Sequence, residues 1–153
     1  MKALFDLNHP AHVHFFRHPM ALLRERGWEI VVASRVKDVA IPLLAELGIE
    51  HHLLSAQTGG GALGLARELV RRDLALYRLA RACRPDAMAA IGGTFVAHVG
   101  WATGIPSLVF YDTENAMLQN AITYPLASRV IVPRCYAGWV PRSSATSSNS
   151  PRS

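Results

Sequence analysis

The sequence predicts one Rossmann-like α/β domain over residues 1–140, built on a doubly wound parallel sheet of about six strands. Short apolar runs alternate with longer segments of helical periodicity along the chain, and only a few residues connect them. A chain of 153 residues can bury a continuous core without disulfides or structural metals. Half of the residues are apolar and 18% are charged, which is typical of a folded protein.

The first strand and helix are predicted at the beginning of the chain. Residues 2–7 (KALFDL) form a short, mostly apolar run before a polar turn, as expected of a buried parallel strand, β1. Residues 12–26 have the spacing of a helix, α1, and Gly27 is placed to end it. Because Pro19 lies inside this segment, we expect a kink or a late helix start. The apolar side of α1 contains Val13, Phe16, Met20 and Leu23.

The next three elements are shorter. Residues 28–34 (WEIVVAS) predict strand β2, and residues 37–47 predict helix α2, which Gly48 closes. Residues 49–54 form a weaker strand, β3. A glycine-rich, flexible loop is expected at residues 58–61.

The longest helical pattern covers residues 62–83 and predicts helix α3, with Pro85 beyond its end. One apolar side of α3 is expected to face the core; it contains Leu65, Leu69, Leu76, Leu79 and Cys83. Four arginines fall in a narrow stripe on another side: Arg67, Arg71, Arg78 and Arg81. The stripe can bind an acidic partner, but a solvated face is the favoured interpretation for an amphipathic helix.

The rest of the chain continues the alternation. Strands β4, β5 and β6 are predicted at residues 86–91, 107–111 and 129–132, with helices α4 and α5 at residues 94–103 and 115–122. Right-handed crossovers are expected throughout. The final residues, 141–153, are serine-rich and lack apolar periodicity, which predicts a disordered tail.

A ligand crevice is expected where the strand order reverses. In a sheet of order β3-β2-β1-β4-β5-β6, that point lies between β1 and β4, beyond the carboxyl ends of the strands. The loops after β1, β4 and β5 therefore converge there. They contain residues 9–14, 92–94 and 112–114.

The turn after β1, Asn8-His9-Pro10-Ala11-His12-Val13-His14, is the main candidate site. Histidine is the side chain best matched to proton transfer near neutral pH, so His12 or His14 can deprotonate a sugar or lipid hydroxyl. Asp112 can orient such an imidazole and stabilise its charged form. A metal site is disfavoured because no cysteine or carboxylate lies at ligand spacing. A purely structural role for the histidines stays open.

Gly92-Gly93-Thr94 lies between a predicted strand and a predicted helix. Small residues at this position let a ligand approach the backbone N–H groups at the positive end of the helix. An anion or a sugar hydroxyl suits such a place. The alternative is a tight turn that needs glycine for backbone reasons alone.

Several classes of protein are disfavoured. The turn after β1 has no G-x-G-x-x-G, which argues against an NAD or FAD domain, so no cofactor is expected. There is no nucleophile elbow and no Walker A loop. The net charge of +5 is spread along the chain without a dense basic run, so nucleic-acid binding is not expected. With no signal-peptide pattern and no apolar run of membrane-spanning length, we expect a cytoplasmic protein without a transmembrane segment.

The two cysteines, Cys83 and Cys135, lie far apart in the sequence. Their spacing indicates neither a disulfide framework nor a zinc knuckle.

Residues 85–132 resemble the second half of the N-terminal domain of GT-B glycosyltransferases, notably those of the MurG type. The shared pattern is PD, GG after a strand, GIP before a strand, a polar cluster, an asparagine and a late A-x-x-V. The opening LFDLNHPAHVHFF, with GGT and YDTENA, is closer still to a GT-B-like domain of unknown function grouped near the UDP-N-acetylglucosamine 2-epimerases. The resemblance covers about residues 1–136.

The resemblance implies a site shared between two Rossmann-like domains. The N-terminal domain of such enzymes mainly contacts the acceptor, and the C-terminal domain holds the nucleotide-sugar. His12 or His14 then stands where some GT-B enzymes carry a general base, next to the substrate-contacting Asn8 and His9. The other residues that would face the cleft between the domains are Gly92, Gly93, Thr94, Asp112, Thr113, Glu114 and Asn120.

The chain also departs from both enzyme groups. MurG-type enzymes have a glycine-rich turn after β1, and the epimerases have a different motif there. The resemblance implies a truncated, acceptor-side domain of a glycosyltransferase or sugar 2-epimerase-like enzyme, inactive alone and lacking the C-terminal domain for UDP-sugar. The complete enzyme would act on a sugar or lipid-linked acceptor. The alternative is a non-catalytic module that binds a sugar or a partner subunit, as one chain of a split glycosyltransferase.

Overall fold

Six parallel strands form one sheet in the order β3-β2-β1-β4-β5-β6, in a computed structural model that describes residues 1–36, 40–56, 61–111 and 117–133. The strands are β1 (Lys2–Leu7), β2 (Glu29–Val36), β3 (His52–Ala56), β4 (Ala87–Ile91), β5 (Ser107–Phe110) and β6 (Arg129–Ile131). The helices are α1 (Pro10–Glu25), α2 (Ala40–Glu46), α3 (Gly61–Cys83), α4 (Thr94–Thr103) and α5 (Met117–Thr123). The predicted fold class and strand order are confirmed.

The sheet separates two apolar cores. On the side covered by α1 and α2, called the α1 face, Phe5 and Leu7 of β1 pack with Phe16 of α1. On the other side, called the α3 face, Leu4 of β1 packs with Leu76 of α3 and residues of α4. Because successive side chains of a strand point to opposite faces, Asp6 shares the α3 face with Leu4. Asp6 is fully buried there.

Helix α1 begins two residues earlier than predicted, at Pro10. A proline at the first helical position loses no hydrogen bond, and its fixed φ suits the helix. His9 is the N-cap residue, and its side chain accepts a hydrogen bond from the Ala11 N–H at 3.2 Å. The expected late start is therefore wrong, although Pro19 does lie inside the helix.

Strands β2 and β3 are displaced from their predicted positions. β2 begins at Glu29 and continues to Val36, whereas β3 begins at His52, three residues later than expected. The two strands pair in parallel with a register irregularity between Ser34 and Arg35. The spacing of apolar residues indicates which face of the sheet a strand residue faces, but it does not determine at which residues the strand begins and ends.

Helix α3 differs from its predicted faces in one respect. Leu76 is buried as expected and Leu79 and Cys83 are half-buried, but Leu69 is 46% exposed. The buried position is taken by Arg72, which is 2% exposed. Asp6 explains the exchange, because a buried carboxylate needs a partner with hydrogen-bond donors. The four arginines of the predicted stripe are exposed to solvent, and the side chain of Leu65 lies outside the described residues.

Some of the predicted features also lie outside the described residues: Asp112, Thr113, Glu114, Cys135 and the tail at residues 141–153. The domain boundary at residue 140 therefore stays a prediction. None of the helices in the described ranges is long and apolar enough to cross a membrane.

Candidate functional site

A cavity of about 440 Å³ opens at the carboxyl ends of the central strands. Residues that follow β1 and β4 contribute to its wall, together with side chains from β2, α3, α4 and α5. The lining residues are Asn8, His12, Arg35, Leu69, Arg72, Ile91, Gly92, Thr94, Phe95 and Ile122. The cavity lies where the order reverses between β1 and β4, as the topology of a doubly wound sheet requires.

The histidine turn contributes one imidazole to this cavity. His12 is half-buried and lines the wall, and its Nδ1 accepts a hydrogen bond from the Asn8 backbone N–H at 3.4 Å. His9 is exposed and caps α1. His14 is exposed on α1 and does not belong to the described lining. The structure therefore brings Asn8 and His12 to the cavity and leaves His9 and His14 outside its described wall.

The glycine turn after β4 is constrained by its backbone. Gly92 has a φ of +57°, in the left-handed region that favours glycine. A Cβ atom on Gly93 would lie only 2.7 Å from the Cβ of Ala90. These constraints support the alternative that the glycines serve the turn, while Gly92 and Thr94 also line the cavity. The Thr94 hydroxyl is hydrogen-bonded to the Thr123 hydroxyl at 2.9 Å.

A buried ion pair beneath the cavity was not predicted. One nitrogen of the Arg72 guanidinium, Nη2, donates to both carboxylate oxygens of Asp6, at 3.0 and 3.2 Å. The same nitrogen donates to the side-chain oxygen of Asn8, whose amide nitrogen donates to Asp6 at 3.2 Å. The guanidinium carbon lies 4.6 Å from the centre of the Phe95 ring. Asp6, Asn8 and Arg72, called the Asp6 cluster below, thus join β1 to α3 at the cavity.

The electrostatics of the Asp6 cluster are set mainly by burial. Burial raises the pKa of Asp6 above its ordinary value, while the charge of Arg72 and the hydrogen bonds from Asn8 and Arg72 act in the opposite direction. The sequence did contain a signal for this pair. An aspartate inside the apolar run of a buried strand requires a partner, and Arg72 lies outside the exposed arginine stripe.

A second arginine of the cavity wall is also paired. Arg35 on β2 forms an ion pair with Glu68 of α3, which is 9% exposed. The Nε atoms of Arg35 and Arg72 are buried and have no hydrogen-bond partner within the described part of the chain. The charges of both guanidinium groups are therefore compensated, while each keeps one buried N–H without a described acceptor.

Other predicted or considered residues lie elsewhere. Asn120 is half-buried on α5 and is not part of the described lining. His51 is hydrogen-bonded to Ser34 at 2.6 Å, and His98 to Asp73 at 3.1 Å. No three His, Cys, Asp or Glu residues come together as a metal site in the ranges that are described.

A family model described as "Protein of unknown function (DUF354)" matches residues 1–150, so the chain belongs to this family. No curated protein matches the chain.

Solved structures share the fold at low sequence identity. MurG of Acinetobacter baumannii is 16% identical with a TM-score of 0.70, over 92% of this chain and 44% of that one. The UDP-GlcNAc 2-epimerase of Neisseria meningitidis, bound to UDP-GlcNAc, is 13% identical with a TM-score of 0.68, over 86% of this chain and 40% of that one. SsfS6, a Streptomyces sp. SF2575 glycosyltransferase, is 15% identical with a TM-score of 0.61, over 94% and 51%.

This chain therefore spans about half the length of these proteins or less. The likeness is one of fold, and it covers the six-stranded sheet described above.

Proposed function

We propose that this member of the DUF354 family is the acceptor-side domain of a cytoplasmic enzyme that uses a nucleotide-sugar, as a glycosyltransferase or a sugar 2-epimerase-like enzyme. The cavity at the carboxyl ends of β1 and β4 carries the proposal. It combines an imidazole, a threonine hydroxyl, an asparagine and two arginines around a volume of about 440 Å³. A few convergent polar groups in an otherwise apolar cavity are typical of a small-molecule site.

The chemistry of the proposal is contact with sugar oxygens. An acceptor hydroxyl that attacks a sugar donor must be held by hydrogen bonds and must lose its proton, whereas a 2-epimerisation removes and returns a proton at a carbon of the sugar ring. We assign His12 to the reacting region, as an acid–base group or as a group that contacts the sugar. His14 and Asp112 are the other candidates for acid–base work.

The other residues proposed to contact the substrate lie in the loops that follow the strands. Asn8 and His9 follow β1, and the glycine turn follows β4. The full set of proposed substrate-contacting residues is Asn8, His9, Gly92, Gly93, Thr94, Thr113, Glu114 and Asn120. Of these, Asn8, Gly92 and Thr94 line the cavity and give the proposal its firmest support.

The proposal requires a second protein surface that binds the nucleotide. The described lining offers no glycine-rich loop of the kind that cradles a diphosphate, and its two arginines are already paired with carboxylates. We infer that UDP-sugar is held by a second domain, supplied by the same polypeptide or by a partner subunit. The acceptor, a sugar or a lipid-linked sugar, would occupy the cavity of this domain.

The test uses a full-length DUF354 protein that has the same NHPAHVH turn and a second domain. UDP and UDP-N-acetylglucosamine are titrated by calorimetry, and products are followed for sugar transfer and for 2-epimerisation. Replacement of the equivalents of His12 and His14 by alanine should lower turnover if they act on the substrate, by about 100-fold for an acid–base residue. Replacement of the exposed His18, which is outside the described cavity wall, is the matched control.

The outcomes separate the two hypotheses. Nucleotide-sugar binding with turnover that depends on His12 or His14 supports the enzyme. Sugar binding without turnover supports the alternative, a non-catalytic module. Absence of nucleotide-sugar binding, together with unchanged behaviour of both variants, would remove the enzyme hypothesis.

A further inference from the structure

A second hollow lies beside the cavity at the carboxyl ends of the strands. It is a groove of about 430 Å³ between α3 and α4, called the α3–α4 groove below. The turn that follows α5 also contributes to its wall. The lining includes Asp73, Leu74, Tyr77, His98, Trp101 and Leu126.

Three elements contribute to both hollows, and in each of them a residue of the groove lies four positions after a residue of the cavity. The pairs are Leu69 and Asp73 on α3, Thr94 and His98 on α4, and Ile122 of α5 and Leu126 in the turn beyond it. Four residues are about one turn of helix, or about 6 Å along its axis. Helices α3 and α4 run in the same direction because both connect parallel strands of one sheet. The groove is therefore the continuation of the cavity, one turn further from the carboxyl edge of the sheet.

The two hollows differ in chemistry. The cavity presents polar side chains such as Asn8 and Thr94, whereas apolar and aromatic side chains dominate the wall of the groove. Trp101 is 71% exposed, and Leu74 and Tyr77 are also exposed to solvent. Water thus contacts large apolar side chains here, and covering them with an apolar group is favourable.

Apolar side chains also connect the cavity to the groove. Leu69 and Ile122 are exposed and line the cavity on the two elements that continue into the groove. The ionisable side chains of the groove wall, Asp73 and His98, are bonded to each other at 3.1 Å. An apolar path therefore leads from the polar cavity to Trp101.

The size of the groove favours a small molecule over a protein partner. Specific protein interfaces use roughly 20–30 residues on each side, whereas a handful of residues lines this groove. Concave, mostly apolar hollows of about 300–1,000 Å³ are typical of small-ligand sites. The carboxylate of Asp73 in the wall disfavours an anionic lipid surface.

We propose that the α3–α4 groove binds an apolar aglycone of the acceptor, whose sugar lies in the cavity. The acceptor is then an amphipathic glycoside with a hydrocarbon chain, and a free sugar binds more weakly. The inference rests on the proposed function for the sugar in the cavity. Leu74, Tyr77 and Trp101 cover the chain, and no covalent step is assigned to them.

The first test varies the length of the aglycone on one sugar. Methyl, butyl, hexyl and octyl N-acetylglucosaminides are titrated against this chain by calorimetry, below the critical micelle concentration of the octyl compound. The affinity should rise by about two- to fourfold with each methylene that the groove covers. Binding of all four glycosides with the same affinity overturns the inference and retains the sugar site.

The second test locates the chain with matched variants. Leu74→Ala and Trp101→Ala should each weaken binding of the octyl glycoside by about three- to tenfold and leave the methyl glycoside within about twofold of the wild type. Leu22→Ala on α1 is the control, because Leu22 is 54% exposed, compared with 49% for Leu74, and lines none of the described cavities. An equal loss in Leu22→Ala, or unchanged octyl binding in both groove variants, overturns the inference.

NMR shifts separate this inference from the proposed function. The octyl glycoside should shift the indole N–H of Trp101 and the amide of Thr94 in one titration, and the methyl glycoside should shift Thr94 alone. Shifts at Thr94 with both glycosides and none at Trp101 retain the sugar site and overturn the inference. Shifts at Trp101 alone mean that the groove binds a chain without its sugar, which overturns both.

The remaining measurements test other occupants of the groove. Sedimentation detects a second copy of this chain, and cosedimentation with phosphatidylglycerol vesicles detects a membrane surface. We expect Trp101→Ala to change neither result. A dimer that dissociates in Trp101→Ala, or vesicle binding that this variant loses, assigns the groove to that occupant and overturns the inference.

Discussion

Strand β1 carries an ion pair near each end, and the two pairs differ in almost every physical respect. Near the amino end, Lys2 contacts Glu29 at 2.9 Å, with side chains that are 26% and 64% exposed. Near the carboxyl end, Arg72 contacts Asp6 at 3.0 Å, with side chains that are 3% and 0% exposed. The first pair lies in water, where an ion pair contributes little. The second pair is shielded from water, where removing either charge would leave the other buried without compensation.

The comparison shows that the energetically costly ion pair is the buried one, between Asp6 and Arg72. Burying an ion pair rarely stabilises a protein relative to apolar side chains of similar volume. Neither Lys2 nor Glu29 lines any of the described cavities, whereas Arg72 lies in the wall of one. The buried pair is therefore better explained by the position that it gives the Asn8 side chain at the cavity wall than by stability.

The largest effect is expected from breaking the buried pair on one side only. Arg72→Met leaves the Asp6 carboxylate buried without its cation and should lower the free energy of unfolding by about 3–5 kcal/mol. The double variant Asp6→Leu/Arg72→Met should recover most of this loss, because it removes both charges. Urea unfolding measures both values. A double variant whose loss equals the sum of the losses of Asp6→Leu and Arg72→Met would show that the two side chains are not energetically coupled, which would contradict this account.

A smaller loss is expected at the glycine turn beside the buried pair. In Gly93→Ala the new Cβ would meet the Cβ of Ala90 at 2.7 Å, and relieving that contact should cost about 1–3 kcal/mol. Gly64 on α3 is the matched control, because a Cβ there meets nothing within 4 Å. Gly64→Ala should stabilise the helix by up to about 1 kcal/mol. Similar thermal unfolding of the two variants would contradict the tight packing of the turn.

The pH dependence of stability should also distinguish the two ends of β1. Burial raises the pKa of Asp6 in the folded protein above its value in the unfolded chain. A raised folded pKa contributes stability below the unfolded pKa, about 4, and this contribution is lost as the pH rises through the folded pKa. The free energy of unfolding of the wild type should thus fall, relative to Asp6→Asn, as the pH rises from about 4.

The control for that pH series is Asp86→Asn near the amino end of β1, where an exposed carboxylate accepts from the Lys2 backbone N–H at 2.6 Å. The comparison with Asp86→Asn separates the effect of burial from the loss of any one negative charge. A wild-type stability that instead rises with pH relative to Asp6→Asn would mean that Arg72 outweighs burial.

The smallest effect is expected at the exposed pair. Lys2→Met and Glu29→Gln should each change the free energy of unfolding by less than about 1 kcal/mol, because solvent screens the two charges. Raising the salt concentration should reduce even this difference. A double-mutant cycle at low and high salt measures it. A coupling as large as that at Asp6 and Arg72 would remove the contrast between the two ends.

The sequence predicted the sheet well because the relevant signals are local. Apolar runs separated by short polar turns specify parallel strands, and the reversal of strand order follows from the topology. The cavity at the ends of β1 and β4 follows from the same rule, and so does the presence of Asn8, His12 and Thr94 in its wall.

The Asp6 cluster was missed because its partners are 66 residues apart in the chain. The place of Arg72 outside the arginine stripe was a signal, but helical spacing alone placed Leu69 in the core where Arg72 is buried. The early start of α1 was missed for a different reason. Pro10 is as compatible with the first turn of a helix as with the end of a loop, and the side chain of His9 decides between them.

The most direct test of the account is an NMR titration of this chain with N-acetylglucosamine, which follows both ends of β1 in one experiment. We expect saturable shifts at the ring of His12 and at the amides of Gly92 and Thr94, with Lys2 and Glu29 unchanged. Shifts confined to the amino end, or no shifts at the carboxyl end at any sugar concentration, would contradict the assignment of the cavity as a sugar site.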